Sequence, residues 1–147
     1  MNTIKVVSVN ISEKKGTIKK PVDLINLTDM GVEKDAHAGD WHRQVSLLGK
    51  ESIEKFEIVL GRKIEYGEFA ENITTEGIVL HTMNPGEKLI IGDVELEITQ
   101  IGKECHGNGC AIFSQVGKCV MPKEGVFAKV IKPGKVKAGD SIVSFVN

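Results

Sequence analysis

The stretch KLIIGDVELEITQI, residues 88–101, decides the class of fold. Apolar and polar residues alternate through its second half, VELEITQI, which sends one set of side chains to each face of a strand. Gly92-Asp93 stands between KLII and VELEITQI and suits a tight two-residue turn, so the stretch reads as a β-hairpin.

Outward from this hairpin the same pattern recurs. IKVVSVN (4–10) mixes β-branched residues with alternation and predicts a strand. Residues 11–20 are polar and lysine-rich around Gly16, a hairpin loop, and VDLINLT (22–28) predicts the next strand. Lys14, Lys15, Lys19 and Lys20 cluster as an anion site would, and read first as a solvated turn. Toward the C-terminus VFAKVI, a turn at Pro133-Gly134 and KVKAGDSIVSFV predict another strand pair. The clearest helix lies in VSLLGKESIEKFEIVL (45–60), where Ile53, Phe56, Val59 and Leu60 are separated by charged residues. Its expected span is roughly Lys50 to Leu60, with Gly61 as the stop. Short strands at turn spacing with one or two short helices imply a mostly β fold, a closed or partly open β-barrel. No repeat or linker divides the chain, so residues 1–147 are expected to form a single domain.

Bulk properties narrow the function. With 41% hydrophobic and 27% charged residues, a chain of 147 can form a soluble core without disulfides. A net charge of -1 gives no bulk attraction to nucleic acid. No run approaches the ~20 apolar residues of a membrane span. The start, MNTIKVVSVNIS, reads as a strand rather than a secretory signal, and a cytoplasmic location is expected. All three cysteines fall within residues 105–119. An odd, clustered set fits a reducing compartment and a chemical role for a thiol better than a disulfide framework.

Three segments carry that chemistry. The first, IGKECHGNGCAIFSQVGKCVMP, places Cys105, His106 and Cys110 among glycines just after a confident strand. Glycine lets backbone approach a ligand closely, and a thiolate is both a soft-metal ligand and a nucleophile. Lys103, His106 and Lys118 favour the charged form of a nearby thiol. Cys119, before Val120 and Met121, reads as a small buried hydrophobe. Cys105, His106, Cys110 and Cys119 are also four candidate zinc ligands, although only one close pair has usual structural-zinc spacing. The second segment, DAHAGDWHRQVSLL, offers Asp35, His37, Asp40, His42, Arg43 and Gln44, which suit metal binding, acid–base work or, for Arg43-Gln44, an anion such as phosphate. The third, GEFAENITTEGI (67–78), sets Asn72 and Thr74-Thr75 at a strand edge.

Taken in order, the three segments resemble the MOSC family, the domain named for the C-terminal part of molybdenum cofactor sulfurase. The family's Gly-Asp-x-His-x-Gly loop is matched by Lys34-Asp35-Ala36-His37-Ala38-Gly39, and its Gln-Val-x-Leu by Gln44-Val45-Ser46-Leu47. Its Gly-x-Phe-Gly-Glu-Asn-Ile-Thr segment is matched by Gly67-Glu68-Phe69-Ala70-Glu71-Asn72-Ile73-Thr74. Its closing Gly-Asp turn is matched by Gly139-Asp140. Lys34 and Ala70 stand where the family commonly has glycine.

The resemblance implies a barrel like the one inserted in pyruvate kinase, and binding of the molybdenum cofactor (molybdopterin) or handling of sulfur bound for it. In that picture Cys110 is the metal ligand or persulfide carrier, and Cys105 is its partner or rival. His37, His42, Arg43 and Lys103 hold the cofactor's anionic end, and Asn72 and Thr74 the pterin edge. The activity implied is a molybdenum-dependent oxidoreductase for N-hydroxylated compounds or a sulfur transferase. An electron-transfer partner or a cysteine desulfurase would then supply it. A non-catalytic cofactor carrier or chaperone and a small zinc-stabilised interaction module are the alternatives.

Overall fold

The computed structural model of the chain describes residues 4–14, 18–36, 38–102 and 124–145. In chain order the elements are β1 (Lys5–Ile11), β2 (Lys20–Val22), β3 (Ile25–Thr28), β4 (Gly31–Val32), β5 (Val45–Gly49), α1 (Lys50–Leu60) and β6 (Ile73–Glu76). A single 3-10 turn (Leu80–Thr82) then leads to β7 (Lys88–Ile91), β8 (Val94–Ile101), β9 (Val126–Lys132), β10 (Gly134–Val136) and β11 (Ile142–Phe145).

Eight strands form one curled sheet in the order β11-β7-β8-β9-β5-β6-β1-β2, and β10-β3-β4 form a second, smaller one. The curl brings β1 to the chain entering β11. Val6 N–H donates to the Asp140 carbonyl at 2.8 Å, Gly139 N–H to the Val6 carbonyl at 2.8 Å, and Ile142 N–H to the Ile4 carbonyl at 2.9 Å. A bridge between Lys5 and Ser141 completes the contact, so main-chain bonds close the sheet into the expected barrel. The hairpin of residues 88–101 is present, pairing Ile91 with Val94 around Gly92 and Asp93. The alternating residues Val94, Leu96 and Ile98 are fully buried in a core that also takes Val45, Leu47, Ile73, Val126 and Ala128.

Among the described residues the one parallel pair is β5 with β6, joined through α1. Parallel neighbours need a crossover rather than a tight turn, and the helix supplies it. Ile53, Phe56 and Leu60 of α1 pack on Leu48, Phe69 and Phe127, a second apolar cluster on the outer face of the barrel. Phe56 and Phe69 meet edge to face with ring centroids 5.7 Å apart. Full burial of an aliphatic side chain such as Ile53 contributes on the order of 1.5–3 kcal/mol. The helix ends as its sequence predicts: Gly61 takes a left-handed conformation, φ 69°, and its N–H donates to the Glu57 carbonyl. Val59, by contrast, faces solvent at 67% exposure, beside Ile58 at 83%.

Three expectations are corrected. Pro133-Gly134 does not turn one strand back on its neighbour. Instead β10 crosses to pair with β3, Val136 opposite Ile25, and β11 pairs with β7. Gly134 passes so close to Val94 that an added Cβ would lie 2.9 Å from its Cγ2. The stretch 22–28 is likewise two strands, because β2 pairs with β1 whereas β3 joins the small sheet. Finally, Lys19 is not solvated. It is 1% exposed, and its Nζ donates to Asp35 Oδ1 at 2.7 Å.

Lys34 and Ala70 are the two described non-glycine residues with positive φ, 68° and 67°. They are also the two positions where the resembling family commonly has glycine. An L-residue there is strained by about 1–2 kcal/mol, partly offset by the greater unfolded-state freedom of glycine. Ala70→Gly and Lys34→Gly are each expected to stabilise the protein by about 0.5–1 kcal/mol, read as a higher urea midpoint with unchanged slope. Unchanged or lower midpoints would show that the left-handed conformations carry no strain.

Candidate functional site

The cysteine segment leaves β8 and returns to β9 at one point, where Gly102 N–H donates to the Gly125 carbonyl at 2.7 Å. Cys105, Cys110 and Lys103, with His106 and Cys119, lie outside the described residues, as does His37. The surroundings of this root are described, and they bring His42 and Arg43 to it.

His42 is tied to the root through one side chain. Gln100 Nε2 donates to the Gly102 carbonyl at 2.6 Å, and Gln100 Oε1 lies 2.8 Å from His42 Nε2. A carbonyl only accepts, so the amide must present its NH2 to Gly102 and its oxygen to the imidazole. His42 therefore carries a hydrogen on Nε2, and Nδ1 has no hydrogen-bond partner among the described residues. The His42 carbonyl is in turn held by a hydrogen bond from the Thr99 hydroxyl.

Arg43 is a cation held by rings. Its guanidinium carbon sits 4.8 Å from the centre of the Trp41 ring and 5.7 Å from that of Phe127. Aromatic faces attract a guanidinium without consuming its N–H donors. No carboxylate among the described residues pairs with it, and its buried Nε has no hydrogen-bond partner. An unpaired, pre-oriented fork of donors suits an oxyanion such as a phosphate. By their chemistry Arg43 and His42 fit an anionic group.

The remaining predicted residues lie behind this surface. Asn72 is fully buried between β1 and β5. Its Oδ1 accepts from Ser46 N–H at 3.0 Å and from the Ser46 hydroxyl at 3.1 Å, and its Nδ2 donates to the Asn10 carbonyl at 3.2 Å. Thr74 is also fully buried; its hydroxyl accepts from Asn10 Nδ2 and donates to Glu71 Oε2. Both side chains spend their capacity inside the fold and offer no edge to a bound molecule in this structure. Gln44, expected beside Arg43 on an anion, is buried too. It donates to the carbonyls of Asp29 and Gly39 and accepts from Val130 N–H, stapling the polar loop to β9. Asp35 holds Lys19 and the Ser12 N–H, and Asp40 is exposed. Among the described residues no group of three His, Cys, Asp or Glu side chains is placed to hold a metal ion.

Sequence reasoning missed Trp41, Phe127 and Gln100, the residues that orient Arg43 and His42. Trp41 was available as the single tryptophan, two places from Arg43, and the other two carried no signal.

Glu71, next to Asn72, is fully buried. Its Oε2 accepts from Gly67 N–H at 3.0 Å and from the Thr74 hydroxyl, while Oε1 has no partner. Burial pushes its carboxyl above the ordinary value, against the opposing pull of these hydrogen bonds.

A family model described as the MOSC domain matches residues 34–143. No curated protein is matched. Among solved structures, the chain is similar to the YuaD protein of Bacillus subtilis, with a TM-score of 0.79 and 19% identity over 99% of this chain and 97% of that one. It is also similar to YiiM of Geobacillus stearothermophilus, with a TM-score of 0.75 and 21% identity over 96% of this chain and 74% of that one. YiiM of Escherichia coli matches with a TM-score of 0.63 and 21% identity, over 100% and 71%. These likenesses establish the fold. No helix among the described residues is long and apolar enough to cross a membrane.

The raised Glu71 carboxyl has a consequence for stability. A folded-state value above the unfolded one means that the native protein holds the proton more tightly, so stability falls as pH rises from the unfolded value through the folded one. Glu71→Gln, which mimics the neutral acid, is expected to flatten that decline and to raise stability at neutral pH, measured by urea unfolding across pH 4–8. A variant with the same pH slope as wild type would remove Glu71 from this role.

Proposed function

The chain belongs to the MOSC family, and from that premise we propose that it binds the molybdenum cofactor, with Arg43 and His42 receiving the cofactor's anionic end beside the root of the cysteine segment. The family is associated with molybdenum-cofactor binding. The observation that carries the reading is the unpaired Arg43 guanidinium, held between Trp41 and Phe127. The guanidinium is half-buried, its Nε is enclosed without a hydrogen-bond partner, and no carboxylate among the described residues neutralises it, so an anionic ligand would supply what the fold leaves out.

In this reading the parts divide as follows. Arg43 presents a two-pronged set of N–H donors to a phosphate. His42, whose Nε2–H is spent on Gln100, would meet the anion as the imidazolium, donating from Nδ1, with its ring orientation set by Gln100. His37 and Lys103 would add positive or donor groups to that anionic end. Cys110 supplies the thiolate that ligates molybdenum or carries sulfur as a persulfide, and Cys105 is the second thiol at hand. Asn72 and Thr74 act from behind, fixing β1, β5 and β6. The bound cofactor would supply two-electron redox chemistry. The protein would then work with an electron-transfer partner as a reductase, or with a cysteine desulfurase as a sulfur carrier.

The test is metal and pterin analysis of protein purified from a host that makes abundant molybdenum cofactor. Wild type is expected to carry near-equimolar molybdenum and pterin. Cys110→Ser should lose the molybdenum. Arg43→Gln should weaken cofactor binding by about 10–100-fold, the effect of losing a charge-assisted pair. Full occupancy in both variants would overturn the proposal.

A further inference from the structure

Beside the start of α1 the barrel carries a cleft of about 300 Å³, lined by Gly49, Glu51, Ser52 and Lys55, by Ile78, Val79, Leu80 and His81, and by Glu124. Glu124 lies one residue before Gly125, so the cleft and the Arg43 surface flank the same root. Its volume is at the lower end of small-molecule pockets. Ile78 and Val79 form an apolar wall, and Val79 is held 55% exposed there.

The polar lining is arranged asymmetrically. Glu124 Oε1 accepts from the Ser52 hydroxyl at 2.6 Å and from Lys55 Nζ at 2.7 Å. Its other oxygen has no hydrogen-bond partner among the described residues. Burial would raise this carboxyl, but the bonds from Lys55 and Ser52 outweigh it and hold the group below its ordinary value, ionised. His81 makes no hydrogen bond among the described residues. The lining holds two carboxylates, Glu51 and Glu124, with Lys55 and His81; Glu51 Oε2 is taken up by the Gly77 N–H at 2.9 Å, so Glu124 is the carboxylate with an oxygen left over.

We infer that this cleft is a subsite for a small organic cation, an amine with an apolar body of about ring size, its body against Ile78 and Val79 and its N–H donors on the free oxygen of Glu124. An anion would meet the Glu124 carboxylate, and a purely apolar molecule would cover its second oxygen without giving it a donor. The inference goes beyond the cofactor reading and stands apart from it, since binding in this cleft needs no cofactor.

The experiment uses the full chain without cofactor and follows its backbone and histidine resonances by NMR during titration with benzylamine, benzyl alcohol or benzoate. Benzylamine should give saturable shifts at residues 51–55, 78–81 and 124. Benzyl alcohol should bind about tenfold more weakly, as expected for loss of a charge-assisted hydrogen bond, and benzoate should give no shifts there. Glu124→Gln, which keeps an acceptor for Ser52, should weaken benzylamine by about tenfold. Val79→Trp, at an exposed position, should fill the cleft and abolish the shifts, and Arg43→Gln should leave them unchanged. Benzoate binding as tightly as benzylamine, no saturable shifts with benzylamine, or shifts indifferent to Val79→Trp would each overturn the inference. Benzylamine binding in a protein that takes no molybdenum would sink only the cofactor reading; cofactor binding without benzylamine binding would sink only this one.

Discussion

Val45–Gly49 is buried along its whole length, and a strand covered on both faces must find every main-chain partner inside the protein. It does so with β9 on one side and β6 on the other. Much of the architecture follows from that. The parallel pairing with β6 requires a crossover, and the crossover is α1, whose apolar side covers the outer face of β5 at Leu48. The inner face, Val45 and Leu47, fills the barrel. At the strand's start Gln44 continues the ladder with its side chain, accepting from Val130 N–H while its amide group gathers two carbonyls of the polar loop. The loop that carries His42 and Arg43 is thus anchored by the same strand that organises the core.

Where β1, β5 and β6 converge, side chains take over the work of backbone pairing. Asn72 bonds Ser46 and Asn10, and Asn10 bonds Thr74 and the Glu71 carbonyl. A buried polar network of this kind stabilises only when its members are satisfied, because each orphaned group costs on the order of 1–3 kcal/mol. Asn10 and Asn72 meet that condition. Glu71 Oε1 and Thr75 Oγ1 have no hydrogen-bond partner among the described residues. The buried Lys19–Asp35 pair solves a similar problem nearby, joining the loop after β1 to the polar loop with both side chains fully enclosed. Removing one member of such a pair costs about 3–5 kcal/mol because the other charge stays buried.

What could be read from the sequence was local. The 88–101 hairpin and the helix at Lys50–Leu60 declare themselves through side-chain period and turn residues, and both are present. The strand pairing of 134–145 was not legible, because the choice of partner depends on which apolar patch Val136 covers, a contact about 110 residues distant in sequence. Lys19 reads as solvated among three neighbouring lysines, and only the fold reveals the aspartate opposite it. In the polar loop, Asp35, Gln44, His42 and Arg43 look equally available. Three-dimensional packing divides them, burying the first two and leaving His42 exposed with Arg43 between two rings. Asn72 and Thr74 are legible as a motif but not as to side, since a conspicuous polar pair at a strand edge faces solvent or interior according to register. The departures at Lys34 and Ala70 acquire meaning only when their backbone angles are known.

The division of labour in the polar loop bears on how a site can remain selective on a small barrel. Gln44 and Asp35 are spent on structure, so the loop's position does not depend on a ligand. Arg43 is spent on nothing polar, so its N–H donors are kept for one. Stacking between Trp41 and Phe127 restrains the guanidinium by dispersion and ring electrostatics, which leaves the fork oriented without satisfying it. Had a carboxylate been placed beside Arg43, the cation would be neutralised and an incoming anion would first have to displace it. Among the described residues none stands there, so the half-buried guanidinium keeps its N–H donors oriented beside the root of the cysteine segment without a neutralising partner.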